Sequence, residues 1–258
     1  AFEHGSAEWE FEPPSDDPFV RQELTETLYH VLWELVHVFL EHAGRAGRGG
    51  GASSFLYPFL SDATTDASSL VDDVRASVLM KASEIGELRA HTLTANRSEI
   101  EAAAATLRDR LDAGGTLFAF GNGGSATDAM DVVADFRAAP QGWPGRRCLD
   151  LTDDPAIITA LANDIGPAAL YTRQLIAFAK PRDVAVALST SGGSVNIIDA
   201  LTEARRRGLA TIALVGYDGG RIAAERLADH VIVVASEHIP RIQEAQASAY
   251  HALRELVG

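Results

Sequence analysis

Two serine-rich glycine turns carry the residue types in this 258-residue chain that are best suited to chemistry. The first, Gly121-Asn122-Gly123-Gly124-Ser125, directly follows the apolar run Thr116-Leu117-Phe118-Ala119-Phe120. The second, Ser189-Thr190-Ser191-Gly192-Gly193-Ser194, directly follows Val184-Ala185-Val186-Ala187-Leu188. Each reads as a buried strand, a tight turn and a helix start. A helix N-terminus presents unpaired N–H donors and partial positive charge, so it accepts an anion, phosphate above all. Glycine lets the backbone approach closely, and the Ser and Thr hydroxyls add donors. Two such turns after equivalent strands of a parallel sheet point to a phosphorylated ligand at the sheet's carboxyl edge.

The elements that position these turns follow from periodicity. From residue 116 onward, strands near 116–120, 147–151, 184–189, 210–215 and 230–235 alternate with helices near 125–137, 155–162, 167–179, 194–207, 220–227 and 241–256. This order predicts an α/β fold with a doubly wound parallel sheet and right-handed crossovers. Upstream, a polar acidic arm over 1–17 precedes a helix over 18–43, in which Leu24, Leu28, Val31, Leu35, Val38 and Phe39 recur at three- and four-residue steps. A glycine-rich linker over 43–53 and an apolar anchor over 55–60 follow, then helices at about 68–94 and 97–113. The chain is therefore divided into residues 1–60 (arm, helix and linker) and residues 61–258. Long helices outside a sheet pack against another subunit, so an oligomer is expected.

Composition narrows the function classes. A hydrophobic content of 47% supports a sizeable core, and a net charge of −14 disfavours nucleic acid and anionic membrane surfaces as partners. The basic run Arg205-Arg206-Arg207, ahead of Gly208, reads as favourable charge at a helix C-terminus. The single cysteine, Cys148, forbids an internal disulfide and suits a reducing cytoplasm. No apolar run approaches a membrane span, and no signal peptide is seen. Gly121-x-Gly123-x-x-Ala126 fits a loose dinucleotide fingerprint, but the acidic residue ending the next strand, Asp150, lies 29 residues on instead of about 20. A nucleotide cofactor is therefore not expected, and neither turn has the Gly-Lys-[Ser/Thr] ending of a P-loop.

Four stretches together resemble sugar isomerase (SIS) domain proteins: Gly-Asn-Gly-Gly-Ser-Ala-Thr-Asp (121–128), Ala-Asn-Asp-Ile-Gly (162–166), Ser-Thr-Ser-Gly-Gly-Ser (189–194) and Arg-Ile-Gln-Glu (241–244). Within that family the match is closest to the phosphoheptose isomerases, which interconvert sedoheptulose 7-phosphate and D-glycero-D-manno-heptose 7-phosphate. The similarity covers roughly residues 68–258. It implies a five-stranded parallel sheet (the SIS fold) with an N-terminal helical extension. It also implies a homotetramer with active sites at subunit interfaces.

The resemblance carries roles residue by residue. Ser189, Thr190, Ser191 and Ser194 would hold the sugar phosphate, with Gly193 where the family usually has Asn. Asn122 and Ser125 would meet the sugar hydroxyls or phosphate, and Asp164 the sugar chain; local readings are a capping pair of Ser125 with Asp128 and a turn role for Asp164. Aldose–ketose isomerisation needs a base for the carbon-bound proton and an acid or a metal for the enediol oxygens. Asp131 and Asp135 share one face of the helix leaving the first turn, and Gln243 and His251 share a face of the last helix. The family usually has His, Glu, Gln and His at these positions, around a zinc ion, with Glu as base and His as acid. The expected catalytic residues are thus Asp135 and His251, with Asp131, Asp135, Gln243 and His251 as ligands of zinc or another divalent cation. Gln243 also counts as a substrate contact, and His238 is a reserve for proton transfer. The alternative is a non-catalytic SIS module that binds a phosphosugar or a protein partner as a regulator.

Overall fold

Apolar runs rich in Val, Ile, Leu and Ala form the strands because both of their faces are covered, as parallel sheets require. The computed structural model of the chain describes residues 10–43, 67–138 and 142–258. The expected linker beyond Ala43, the apolar segment 55–60, the boundary at 60/61 and the first nine residues of the arm lie outside the described residues. The chain divides into two units, Ala1–Ser83 and Glu84–Gly258.

In the first unit, helix α1 (Pro18–Ala43) starts where Asp17 Oδ1 accepts from the backbone N–H of Phe19 at 2.9 Å, an N-cap. Glu34 on α1 is buried and ion-paired with Lys81. Helix α2 (Ala67–Ala95) begins in this unit and ends in the second.

The second unit continues with α3 (Arg97–Asp112), β1 (Leu117–Gly121), α4 (Gly124–Arg137), β2 (Cys148–Asp150) and α5 (Pro155–Asp164). A single 3₁₀ turn at Pro167–Ala169 leads into α6 (Leu170–Phe178) and β3 (Val184–Ser189). Then come α7 (Val195–Arg206), β4 (Ala210–Gly216), α8 (Gly220–Ala224), β5 (His230–Val234) and α9 (Ile239–Val257). The five strands are all parallel, in the order β2-β1-β3-β4-β5. This is the expected α/β doubly wound five-stranded sheet.

Alternation along the strands builds two cores. Leu117, Ala119, Val184, Val186, Ile212 and Leu214 face α3, α4 and α9. Phe118, Phe120, Ala185, Ala187, Ala213 and Val215 face α6 and α7. A third cluster joins Ile85 and Val234 to Ile242 and Ala245 of α9. Helix α9 is buried at every position from Arg241 to His251. The expected helix over 167–179 is interrupted because Gly166, at φ +116°, sets Pro167 at the start of a separate turn. The expected helix over 220–227 stops at Ala224, and Arg226 at φ +51° has left the helical region.

Candidate active site

The strand order reverses between β1 and β3, the point at which open α/β sheets bind ligands beyond their carboxyl ends. Both glycine turns leave the sheet there. Gly121 pairs with Leu188 in register, so Asn122 and Ser189 emerge as neighbours. Gly121 permits the fold-back into α4, since a Cβ there would stand 2.3 Å from the Ser125 carbonyl oxygen. Gly123 follows at φ +57° and caps α4.

The two turns are tied together by an amide pair. Asn122 Nδ2 donates to Asn196 Oδ1 at 2.9 Å, and Asn196 Nδ2 donates back to Asn122 Oδ1 at 2.8 Å. Tyr171 of α6 donates its hydroxyl to the Gly121 carbonyl, and to Asn122 Oδ1 at 3.1 Å. Burial, with the Asp150 carboxylate as a lesser cause, pushes the Tyr171 phenol up to about 12, so it stays a donor near neutral pH. Motif reading missed Asn196 and Tyr171, since both act by meeting the turn from other elements.

In the second turn Ser189 is buried, Thr190 and Ser194 half-buried and Ser191 exposed. Ser191 Oγ accepts from the Gly193 N–H at 3.3 Å. The turn rests on a second glycine turn, Gly216 to Gly220, which the sequence presents as an ordinary connection. The Gly216 N–H donates to the Thr190 carbonyl at 3.0 Å, and the Ile222 N–H to the Gly192 carbonyl at 3.0 Å. A Cβ at Gly220 would lie 2.3 Å from the Ser191 carbonyl oxygen.

Helices α4 and α9 run side by side and form two rungs. On the first, Gln243 packs against Gly124, and its Nε2 donates to Asp128 Oδ2 at 3.1 Å. On the second, His251 Nε2 stands 3.5 Å from Asp135 Oδ2, with both residues buried. Asp131 lies between the rungs along α4, half-buried. Asp128 thus answers Gln243, and among the described residues the N-terminus of α4 at Gly123 has no side-chain cap hydrogen bond. The four expected cation donors share one seam but not one point. Asp135 Oδ2 takes no hydrogen bond among the described residues. Its distance from His251 Nε2 is close to the roughly 3.4 Å that separates two ligands of one tetrahedral zinc. Those two donors fit a common cation; the Gln243 amide is turned to Asp128. Among the described residues no three His, Cys, Asp or Glu side chains are grouped to hold a metal ion.

Other expected residues lie apart from the seam. Asp164 ends α5, exposed, and accepts from its neighbour Asn163 at 2.8 Å; it makes no hydrogen bond to either turn. His238 is the N-cap residue of α9, about 20 Å along the helix from His251, so it does not stand in for His251 at Asp135. Arg137, at the end of α4, donates to the Cys148 carbonyl at 2.9 Å, and Arg146 pairs with Asp112 at 2.5 Å. With Thr116, Phe118 and Phe178 they line a cleft of about 410 Å³ at the amino ends of β1 and β2, away from the glycine turns.

Residues 82–216 match the SIS domain family model. A phosphoheptose isomerase from Geotalea daltonii is 40% identical over 163 residues, 62% of this chain and 82% of that protein. A solved phosphoheptose isomerase from Neisseria gonorrhoeae superposes with a TM-score of 0.66 at 31% identity, over 71% of this chain and 98% of its own. A second, from Francisella tularensis, gives a TM-score of 0.66 at 27% identity, over 70% of this chain and 96% of its own.

Proposed function

Because the chain belongs to the SIS domain family, we propose that it is a sugar-phosphate isomerase of the phosphoheptose type, interconverting sedoheptulose 7-phosphate and D-glycero-D-manno-heptose 7-phosphate. The observation that carries this reading is the convergence of both glycine turns at the sheet's switch point, with a buried Asp135–His251 pair farther along α4, the helix that the first turn opens. Backbone N–H groups and hydroxyls of Ser189, Thr190, Ser191 and Ser194 would hold the phosphate, with Asn122 and Ser125 on the sugar chain.

The reaction moves a carbonyl between C2 and C1 through an enediol. Asp135 takes the proton from C1 of the ketose while His251 gives one to O2. The enediol then collapses as a proton returns to C2 and O1–H gives up its own, so atoms and electrons balance without a co-reactant. A carboxylate beside an imidazole can exchange the proton between them within one turnover. A divalent cation held by Asp135 and His251 is a separate proposal. When bound it would polarise the substrate oxygens; metal analysis of the purified chain tests it.

The finer reading is a homotetramer with interfacial sites in the cytoplasm. It is supported by helix α5, which carries Ile157, Ile158 and Leu161 yet has no buried residue. Cys148 as a buried free thiol suits a reducing compartment. No helix among the described residues is long and apolar enough to cross a membrane.

The test is a coupled assay with sedoheptulose 7-phosphate on the wild-type chain, Asp135→Asn and His251→Ala. Each variant should lose activity on the order of a thousandfold. Tight binding of the sugar phosphate without turnover by the wild type would instead favour a regulatory SIS module.

A further inference from the structure

One buried cation at the α4–α9 seam has no place in the reading so far. Arg254 follows His251 by three residues on α9 and is fully buried, at 0% exposed. Its Nε donates to the main-chain carbonyl of Asp135 at 2.9 Å, and its Nη2 to that of Pro144 at 3.2 Å. The guanidinium carbon lies over the rings of Phe136 and Trp143, 5.1 Å from each centroid. Burying a guanidinium carries a desolvation penalty unless its donors are satisfied, and Nη1 makes no hydrogen bond among the described residues. An apolar side chain would fill the same space without that penalty. The residue therefore does something that packing alone does not explain.

Its placement says what. Asp135 sits in the last turn of α4, where carbonyls lack intrahelical partners. The neighbouring carbonyls are answered locally: the Ala134 oxygen accepts from the Ala138 N–H, and the Phe136 oxygen from the Arg146 N–H. The Asp135 carbonyl is answered by Arg254, from the helix that also carries His251. One side chain thus joins the backbone of the base to the helix of the acid, and secures the loop at Trp143 and Pro144.

We propose that Arg254 is a positioning residue that sets the spacing of the Asp135–His251 pair. The proposal rests on the reading of that pair as the proton-transfer groups. It acts through the main chain of Asp135, so it needs no contact with substrate. A misplacement of about 1 Å costs on the order of a hundredfold in rate.

Arg254→Lys keeps the charge and most of the volume but loses the two-pronged fork. In the full chain it should lower kcat by roughly ten- to a hundredfold while KM for sedoheptulose 7-phosphate stays within about threefold. Hydrogen–deuterium exchange over residues 133–138 should quicken at least about tenfold, with the rest of the sheet unchanged. Unchanged kcat, or a fall in melting temperature with kcat and KM intact, overturns the proposal. So does unchanged exchange over 133–138. Arg254→Met, should it fold, must show the same kcat loss. If the wild-type chain itself fails to turn over the sugar phosphate, the isomerase reading falls, and the exchange measurement still decides whether Arg254 holds Asp135.

Discussion

Tyr171 shows at the scale of one residue how the first turn is kept in shape. Its ring stacks on Phe120 with centroids 5.1 Å apart, and its hydroxyl reaches both Gly121 and Asn122. Tyr171→Phe keeps the stacking and removes the donor, leaving the Asn122 amide held by Asn196 alone. We expect a loss of about 1 kcal/mol in stability, the usual net worth of one hydrogen bond. KM for the sugar phosphate should rise several-fold and kcat stay nearly unchanged. Urea unfolding and steady-state kinetics read both; an unaltered KM would show that the Asn122 amide does not meet substrate. Ser125 and the 189–194 hydroxyls were legible because their geometry is local, a turn closing onto its own helix. Tyr171, Asn196 and Arg254 were not, because each acts on a partner dozens of residues away that only the folded sheet brings near. The Asp135–His251 pair lies between. Spacing placed each residue on a helix face, but their meeting across 116 positions was implied by the family resemblance alone.

Among the elements, the second turn depends on backbone that only glycine supplies. Gly192 has φ +58°, and a Cβ there would come 2.1 Å from the Gly219 carbonyl oxygen. Gly192→Ala must therefore move one turn off the other, adding strain of order 1–3 kcal/mol before any repacking. Phosphosugar affinity should fall by tenfold or more, measured by calorimetry. Gly193 is the control: its nearest neighbour to a Cβ is the Ser191 carbonyl oxygen at 3.8 Å, and its φ is not positive. Gly193→Asn, the residue usual in the family, should fold and bind like the parent. Equal losses in both variants would mean that the turn tolerates no side chain at all and that this packing argument fails. The strands and the long helices were readable to within a residue or two, since the hydrophobic period is regular there. The ends that shifted, at 167 and 224, are places where a glycine or a left-handed residue breaks a periodic pattern.

For the whole molecule, exposed apolar faces among the described residues argue for assembly. Helix α5 exposes or half-exposes all ten of its residues, though six of them are Ala, Ile or Leu. On α1, Tyr29, Leu32 and Val36 recur at helical spacing and are 52–63% exposed. Apolar stripes of this kind mark protein–protein surfaces. Four copies of the 27.5 kDa chain would have a mass of about 110 kDa, measurable by light scattering after size exclusion. A net charge of −14 per chain repels other copies, so the assembly should tighten as salt is raised. Ile158→Glu places a charge on α5, where burying it unpaired in an interface costs several kcal/mol. If the active sites form between subunits, this variant should lose mass and turnover together while keeping its folded signal by circular dichroism. A 27.5 kDa species that isomerises the sugar phosphate at the full wild-type rate would show instead that one chain holds a complete site. The α5 surface would then serve some other contact.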